Sequence, residues 1–256
     1  MTPSHIVLIH GAWQGSWAFA AWQPLLGAAG WRVHAVDLPG NGHGPALSGQ
    51  ANLQGYTDHV VRLLETLDGP AVVLGHSGGG VTASQVAEAA PERVRALVYL
   101  AGMMLPSGLR FADLIAQCRA VDPDFTYTGV EPHLEWDGPR AASRVPVDAA
   151  LDLFLHDCEP GAACAAAARL CAQPESGRSM ANRLSAARFG SVPRIYVECL
   201  RDRSVTLVLQ RRMQALVPGA RRVSLDCGHV PQLACPRTLT DALLPALDAL
   251  ASTSRV

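Results

Sequence analysis

The pentapeptide Gly75-His76-Ser77-Gly78-Gly79 follows directly on the apolar run Ala71-Val72-Val73-Leu74 and precedes a stretch suited to a helix. A serine at the tip of such a strand-to-helix turn presents its hydroxyl as a nucleophile. The flanking glycines remove side chains that would collide with the strand and the helix. A serine hydroxyl alone is a weak nucleophile. It needs a base, a group that orients the base, and donors for the oxyanion that attack creates.

Nine histidines compete for the role of base. His229 stands apart, because Asp226-Cys227-Gly228-His229 follows the short apolar run ending at Leu225 and so falls at the carboxyl end of a sheet, where ligands gather. His5, His34, His59, His133 and His156 lack a partner motif and read as structural or surface groups. His10 and His43 lie in loops where lining or bracing is the expected role, and His76 precedes the nucleophile and is expected to point away from it. Asp202, three residues beyond the run Arg194-Ile195-Tyr196-Val197-Glu198-Cys199, is the expected acid, with Glu198 and Asp226 as alternatives. It would accept the imidazole N–H and fix the tautomer, and its neighbours Arg201 and Arg203 are expected to keep it ionised. For the oxyanion, the Gly78 amide is one expected donor. The loop Ile9-His10-Gly11-Ala12-Trp13 supplies the second, Ala12 being preferred and Trp13 the alternative.

These groups need a frame. Short apolar runs at residues 5–9, 32–36, 71–74, 96–100, 194–199 and 221–225 alternate with helix-like stretches at 17–29, 56–67, 81–89, 207–216 and 238–251. Alternation of this kind predicts an α/β protein with a mainly parallel six-stranded sheet covered on both faces. Residues 103–189 break the rhythm. They hold no convincing strand, while tracts such as Gly161-Ala162-Ala163-Cys164-Ala165-Ala166-Ala167-Ala168 are helical in composition. The expected division is a core of residues 1–102 and 190–256 with a helical cap of residues 103–189 inserted over the site. From the cap, Met103, Met104, Leu105, Phe125, Tyr127, Trp136 and Phe154 are candidates to touch an apolar or aromatic substrate.

Composition narrows the chemistry. With 21 basic and 22 acidic residues among 256, the chain carries no basic stripe for nucleic acid or a membrane surface. Every basic residue is arginine, which excludes lysine Schiff-base chemistry and a P-loop. The N-terminus lacks the cationic region and apolar core of a signal peptide, and no stretch approaches the roughly 20 apolar residues of a membrane span. Seven cysteines, an odd number without a C-x-x-C pair, predict free thiols, no zinc and a cytoplasmic location. No cofactor is expected. The oligomeric state is left open, a homodimer being one option.

The stretches His10-Gly11-Ala12-Trp13 with Gly15-Ser16-Trp17, Asp37-Leu38-Pro39-Gly40 with Gly42-His43-Gly44, the Ser77 pentapeptide and Gly228-His229 together carry a resemblance. Across residues 5–100 and 192–250 the chain resembles the methylesterase/hydroxynitrile-lyase branch of the α/β-hydrolases, to which bacterial pyrethroid-type carboxylesterases also belong. The order Ser77, Asp202, His229 matches that fold. The resemblance implies those three as a triad, Ala12 and Gly78 as oxyanion donors, and hydrolysis of a small-molecule carboxylic ester through an acyl-enzyme. It leaves as rivals other reactions on the same triad (lyase, C–C hydrolase, amidase, perhydrolase) and a non-catalytic ligand-binding homologue. The lyases of this branch place a lysine beside the histidine. Here Val230 stands in that place, which favours ester hydrolysis.

Overall fold

Six apolar strands in parallel register form the frame. The computed structural model describes residues 4–41 and 50–253; Gly42, His43 and Gly44 of the sequence motif lie outside the described residues. In chain order the elements are β1 (His5–Ile9), α1 (Gln23–Ala28), β2 (Arg32–Val36), α2 (Leu53–Glu65), β3 (Ala71–His76), α3 (Gly79–Ala89) and β4 (Val94–Leu100). Then come α4 (Phe111–Val121), β5 (Glu135–Trp136), β6 (Ala142–Arg144), α5 (Val147–Leu153), α6 (Pro160–Ala167) and β7 (Gln173–Pro174). The chain returns through β8 (Arg194–Cys199), α7 (Leu207–Leu216), β9 (Ala220–Leu225), α8 (Pro231–Ala234) and α9 (Pro236–Thr253).

The main sheet has the order β2-β1-β3-β4-β8-β9, and all of its pairings are parallel. Its inner strands are largely apolar on both faces because both faces are covered, whereas the edge strands β2 and β9 carry the exposed Arg32, Arg221 and Arg222. Along β1, Val7 and Ile9 enter one buried cluster while Ile6 and Leu8 enter another; along β3, Ala71 and Val73 divide from Val72 and Leu74 in the same way. The crossover from β1 leads outward to β2, and the one from β3 leads the opposite way to β4. The loops after β1 and β3 therefore diverge at the carboxyl end of the sheet and leave a crevice between them.

Local chemistry sets the element ends. Asn52 caps α2 by accepting the Gly55 amide at 2.9 Å, so this helix begins before the expected residue 56. The expected helix over 17–29 is divided into a 3₁₀ turn at Ser16–Phe19 and α1, which starts where Pro24 can occupy the first turn. The region between β4 and β8 also departs from expectation. Besides helices it holds a second, antiparallel sheet of order β5-β6-β7. It shares an apolar cluster with the core: Val145, Ala150, Leu153, Phe154, Ala163 and Ala167 pack with Trp13, Trp17 and Val230. No helix among the described residues is long and apolar enough to cross a membrane.

Candidate active site

Ser77 sits where β3 turns into α3, with φ at 51°, a left-handed conformation that a residue with a side chain adopts only under constraint. Its amide donates to the Leu100 carbonyl at 3.2 Å, and its carbonyl accepts the amides of Met103 at 2.8 Å and Gly80 at 3.0 Å. The crowding around this turn explains its glycines. A Cβ on Gly75 would lie 2.5 Å from the Gly79 carbonyl oxygen, and one on Gly79 would lie 2.6 Å from the carbonyl oxygens of both Ile9 and His10. The strand tip is thus packed directly against the end of β1.

His229 lies in the loop between β9 and α8 and is buried, as are Asp202 and Ser77. Its Nδ1 donates to Asp202 Oδ2 at 2.8 Å, which leaves Nε2 free to exchange a proton. The other Asp202 oxygen accepts the amides of Ser204 at 2.7 Å and Val205 at 2.9 Å, and Gln210 Nε2 approaches Oδ2 at 3.4 Å. Arg201 and Arg203 do not take the expected role. Arg201 pairs with Asp226 at 2.9 Å and Arg203 with Asp152 at 2.5 Å, so both point away from Asp202, and backbone amides supply its donors instead. The alternative acids have other partners. Glu198 is buried among Arg211, Arg222, Gln214 and Ser224, while Asp226 is exposed beside Arg201.

Two histidines brace the site. His10 Nδ1 donates to the Gly11 carbonyl at 2.8 Å and Nε2 accepts the Leu38 amide at 3.1 Å, tying the loop after β1 to the loop after β2. Asp37 adds to that tie by accepting the amide and hydroxyl of Ser16 at 2.7 and 2.9 Å. His76 Nε2 lies 2.9 Å from the His229 carbonyl oxygen, and its Nδ1 lies 3.1 Å from Gln14 Oε1. Complete burial holds the His76 pKa well below its ordinary value, and the neighbouring His229 acts in the same direction. With an acceptor oxygen at each nitrogen, a neutral ring can donate to only one of the two.

On the oxyanion side, a Cβ at Gly78 would lie 3.8 Å from the Ala12 nitrogen, so the two loops bring their backbones side by side. The Trp13 amide is already engaged, donating to Gln173 Oε1 at 3.2 Å. Between the two expected donors, this leaves Ala12 the better placed.

Ser77, His229, Ala12 and Gly78 all line one cavity of about 480 Å³. Of the expected substrate contacts, Met103, Tyr127 and Phe154 are on its wall; Phe125 and Trp136 are not, and Met104 and Leu105 are buried in the core. Three arginines also reach the wall. Arg110 is paired with Asp113, Arg119 donates to the Tyr127 carbonyl, and Arg178 lies between Glu131 and Glu175. Arg178, Gln173 and Tyr56 escaped the sequence reading because they are ordinary residues of a loop, a two-residue strand and a helix, with no local pattern to mark them. Among the described residues, no group of three or more His, Cys, Asp or Glu side chains is arranged to hold a metal ion.

The sequence profile of the Alpha/beta hydrolase family matches residues 6–242. The chain is 30% identical to a pyrethroid hydrolase of Sphingobium wenxiniae, over 97% of this chain and 89% of that protein. It is 28% identical to polyneuridine aldehyde esterase of Rauvolfia serpentina, over 95% of this chain and 96% of that protein. A crystal structure of a pyrethroid hydrolase superposes with a TM-score of 0.81 at 27% identity, covering 98% of this chain and 99% of the other.

Proposed function

Since the chain belongs to the Alpha/beta hydrolase family, we propose that it is a serine-dependent carboxylesterase with Ser77, His229 and Asp202 as its catalytic triad. One observation carries the reading: a serine held at positive φ on a strand tip shares a cavity with a buried histidine whose far nitrogen is fixed 2.8 Å from a carboxylate. In the reaction, Ser77 Oγ attacks the ester carbonyl as His229 Nε2 takes its proton. The oxyanion is held by the amides of Ala12 and Gly78. The tetrahedral intermediate collapses as His229 protonates the departing alkoxide. Water then attacks the acyl-enzyme with His229 again as base, and the acid is released. Asp202 holds the imidazole tautomer and stabilises the imidazolium.

A small apolar or aromatic ester is the substrate class this cavity supports, with Trp13, Met103, Phe111, Tyr127 and Phe154 on its wall. The same reading takes residues 1–102 and 190–256 as a catalytic core and residues 103–189 as a cap. Seven free cysteines support a cytoplasmic setting. Cyanohydrin cleavage is a poor fit, because it expels an anion that needs an uncommitted cation. Val230 is fully buried in the apolar cluster, and the three wall arginines are already engaged.

The test is a fluorophosphonate probe with peptide mapping, run beside p-nitrophenyl esters of graded chain length and mandelonitrile. The expected outcome is label on Ser77, turnover of short aryl or alkyl esters, and no benzaldehyde release above the buffer rate. Rapid mandelonitrile cleavage that is lost in Ser77→Ala would overturn the esterase reading.

A further inference from the structure

Trp13 has φ at 62°, in the left-handed region. It is the third residue of a turn that the Gln14 amide closes on the Gly11 carbonyl at 3.4 Å, a place ordinarily given to glycine or asparagine. A tryptophan there must be held. The holding groups come from 130 to 160 residues further along the chain. Gln173 Oε1 accepts the Trp13 amide at 3.2 Å, the Cys171 amide donates to the Trp13 carbonyl at 2.9 Å, and Ser143 Oγ accepts the indole N–H at 3.2 Å. Phe154 stacks on the ring at 6.1 Å, and the Arg178 guanidinium stands 5.9 Å from it.

Gln173 is itself fixed. It is 1% exposed, and its Nε2 donates to the Tyr56 hydroxyl at 3.2 Å and to the Pro174 carbonyl at 3.2 Å. Tyr56 in turn donates to Asn41 Oδ1 at 3.0 Å, and burial pushes its pKa up to about 12, so it remains a donor. The acceptor oxygen of Gln173 is thereby aimed at the turn. With the Trp13 N–H engaged, the Ala12–Trp13 peptide cannot rotate. Release would allow a half-turn of that peptide, relieving Trp13 and turning the Ala12 carbonyl dipole toward the wall that Gln173 shares with Ala12. A carbonyl so placed repels a developing oxyanion.

We propose that Gln173, with Ser143 and the Cys171 backbone, is a positioning residue for oxyanion stabilisation: the small cap sheet locks the Ala12–Trp13 peptide of the Gly11–Gln14 turn, so that the Ala12 carbonyl is kept from turning toward the developing oxyanion beside the Ala12 amide. The role rests on the reading of Ser77 as nucleophile. It makes the cap a working part of the chemistry and not solely a cover over the substrate.

Gln173→Met keeps the shape of the side chain and removes the acceptor. Kinetics on a p-nitrophenyl ester are measured together with inhibition by phenylboronic acid, which forms a tetrahedral adduct on the serine, and by a planar amide analogue of the ester. The expected result is a kcat lower by about 10- to 100-fold with KM within about two-fold, since a full oxyanion donor is worth about 10²–10³. Boronate affinity should fall in step with kcat while amide affinity stays put. Unchanged kcat, or equal weakening of both inhibitors, overturns the proposal. Should Gln173→Met not fold, Ser143→Ala decides: a fall of about three-fold in kcat and in boronate affinity alone supports it, and no split between the inhibitors rejects it. A wild type that neither turns over esters nor is phosphonylated at Ser77 removes the nucleophile reading and this proposal with it. A wild type labelled at Ser77 beside a fully active Gln173→Met removes the positioning role alone.

Discussion

The two halves of the candidate site are built differently. The carboxylate half is local: Asp202 draws its donors from Ser204, Val205, Gln210 and His229, at most 27 residues away. The oxyanion half is remote, for Trp13 is held by Ser143 and Gln173 at separations of 130 and 160 residues. The cap does reach the first half, where Asp157 accepts the Gly228 amide, Tyr127 donates to the Ser204 carbonyl and the Phe154 ring lies 5.5 Å from the His229 ring. A loop after a strand can orient a carboxylate with its own amides. A turn that must expose one particular N–H, against the preference of its third residue, needs support from outside.

The largest effects should come from Ser77 and from the local half. Ser77→Ala or His229→Ala should each lower ester hydrolysis by about 10⁶-fold, and the double mutant should be little worse, because triad members act as a unit. Asp202→Asn should lose about 10⁴-fold through the wrong imidazole tautomer. Steady-state kinetics check this, and full activity in Ser77→Ala would sink the assignment. If the halves are separable, Gln173→Met leaves the pH profile of kcat where it was, whereas Asp202→Asn moves it.

At the seam between the halves, Gly79→Ala should destabilise the fold by about 3 kcal/mol, as overpacking against the Ile9 and His10 carbonyls demands. Urea unfolding measures it; a change under 1 kcal/mol would mean that the strand tip yields more easily than its contacts indicate. His76 spans the same seam, from Gln14 to the His229 carbonyl. Its folded-state pKa lies well below the ordinary 6.5, so between those values the unfolded chain binds a proton that the folded one does not. The corresponding stability is complete above about pH 6.5 and drains away as the pH falls. His34, His59 and His156, also lowered by burial, act in the same direction. The melting temperature should therefore be level from pH 7 to 8, decline below about 6.5, and decline less steeply in His76→Gln. Equal slopes in the two proteins would remove His76 from this account.

The main sheet was legible because its strands are short β-type runs, mostly apolar and bounded by turn residues, and 5–9, 32–36 and 194–199 match to the residue. The small sheet was not, since strands of two or three residues such as Glu135–Trp136 and Gln173–Pro174 have no periodicity to read. Ser77, Asp202 and His229 could be proposed because each falls at the end of a readable strand; Ser77 and His229 line one cavity, and His229 is bonded to Asp202. The attribution to Arg201 and Arg203 failed for a physical reason: adjacency along a chain does not fix where a long side chain turns, and both found nearer carboxylates in Asp226 and Asp152. Gln173 carries no local signature, because its partner is 160 residues away.

That separation bears on how the molecule comes into being. Contacts between distant parts of a chain form only after the entropy of closing the intervening loop has been met, and parallel pairing across a long insertion is slow for the same reason. On the proposed reading, Ser77 emerges early during synthesis, but the turn beside it would not be locked until β7 is available, nor the base supplied until residue 229 has followed. Reactivity should thus lag behind compaction in refolding. On the same reading, a chain with its sheet largely formed would still lack a working oxyanion site.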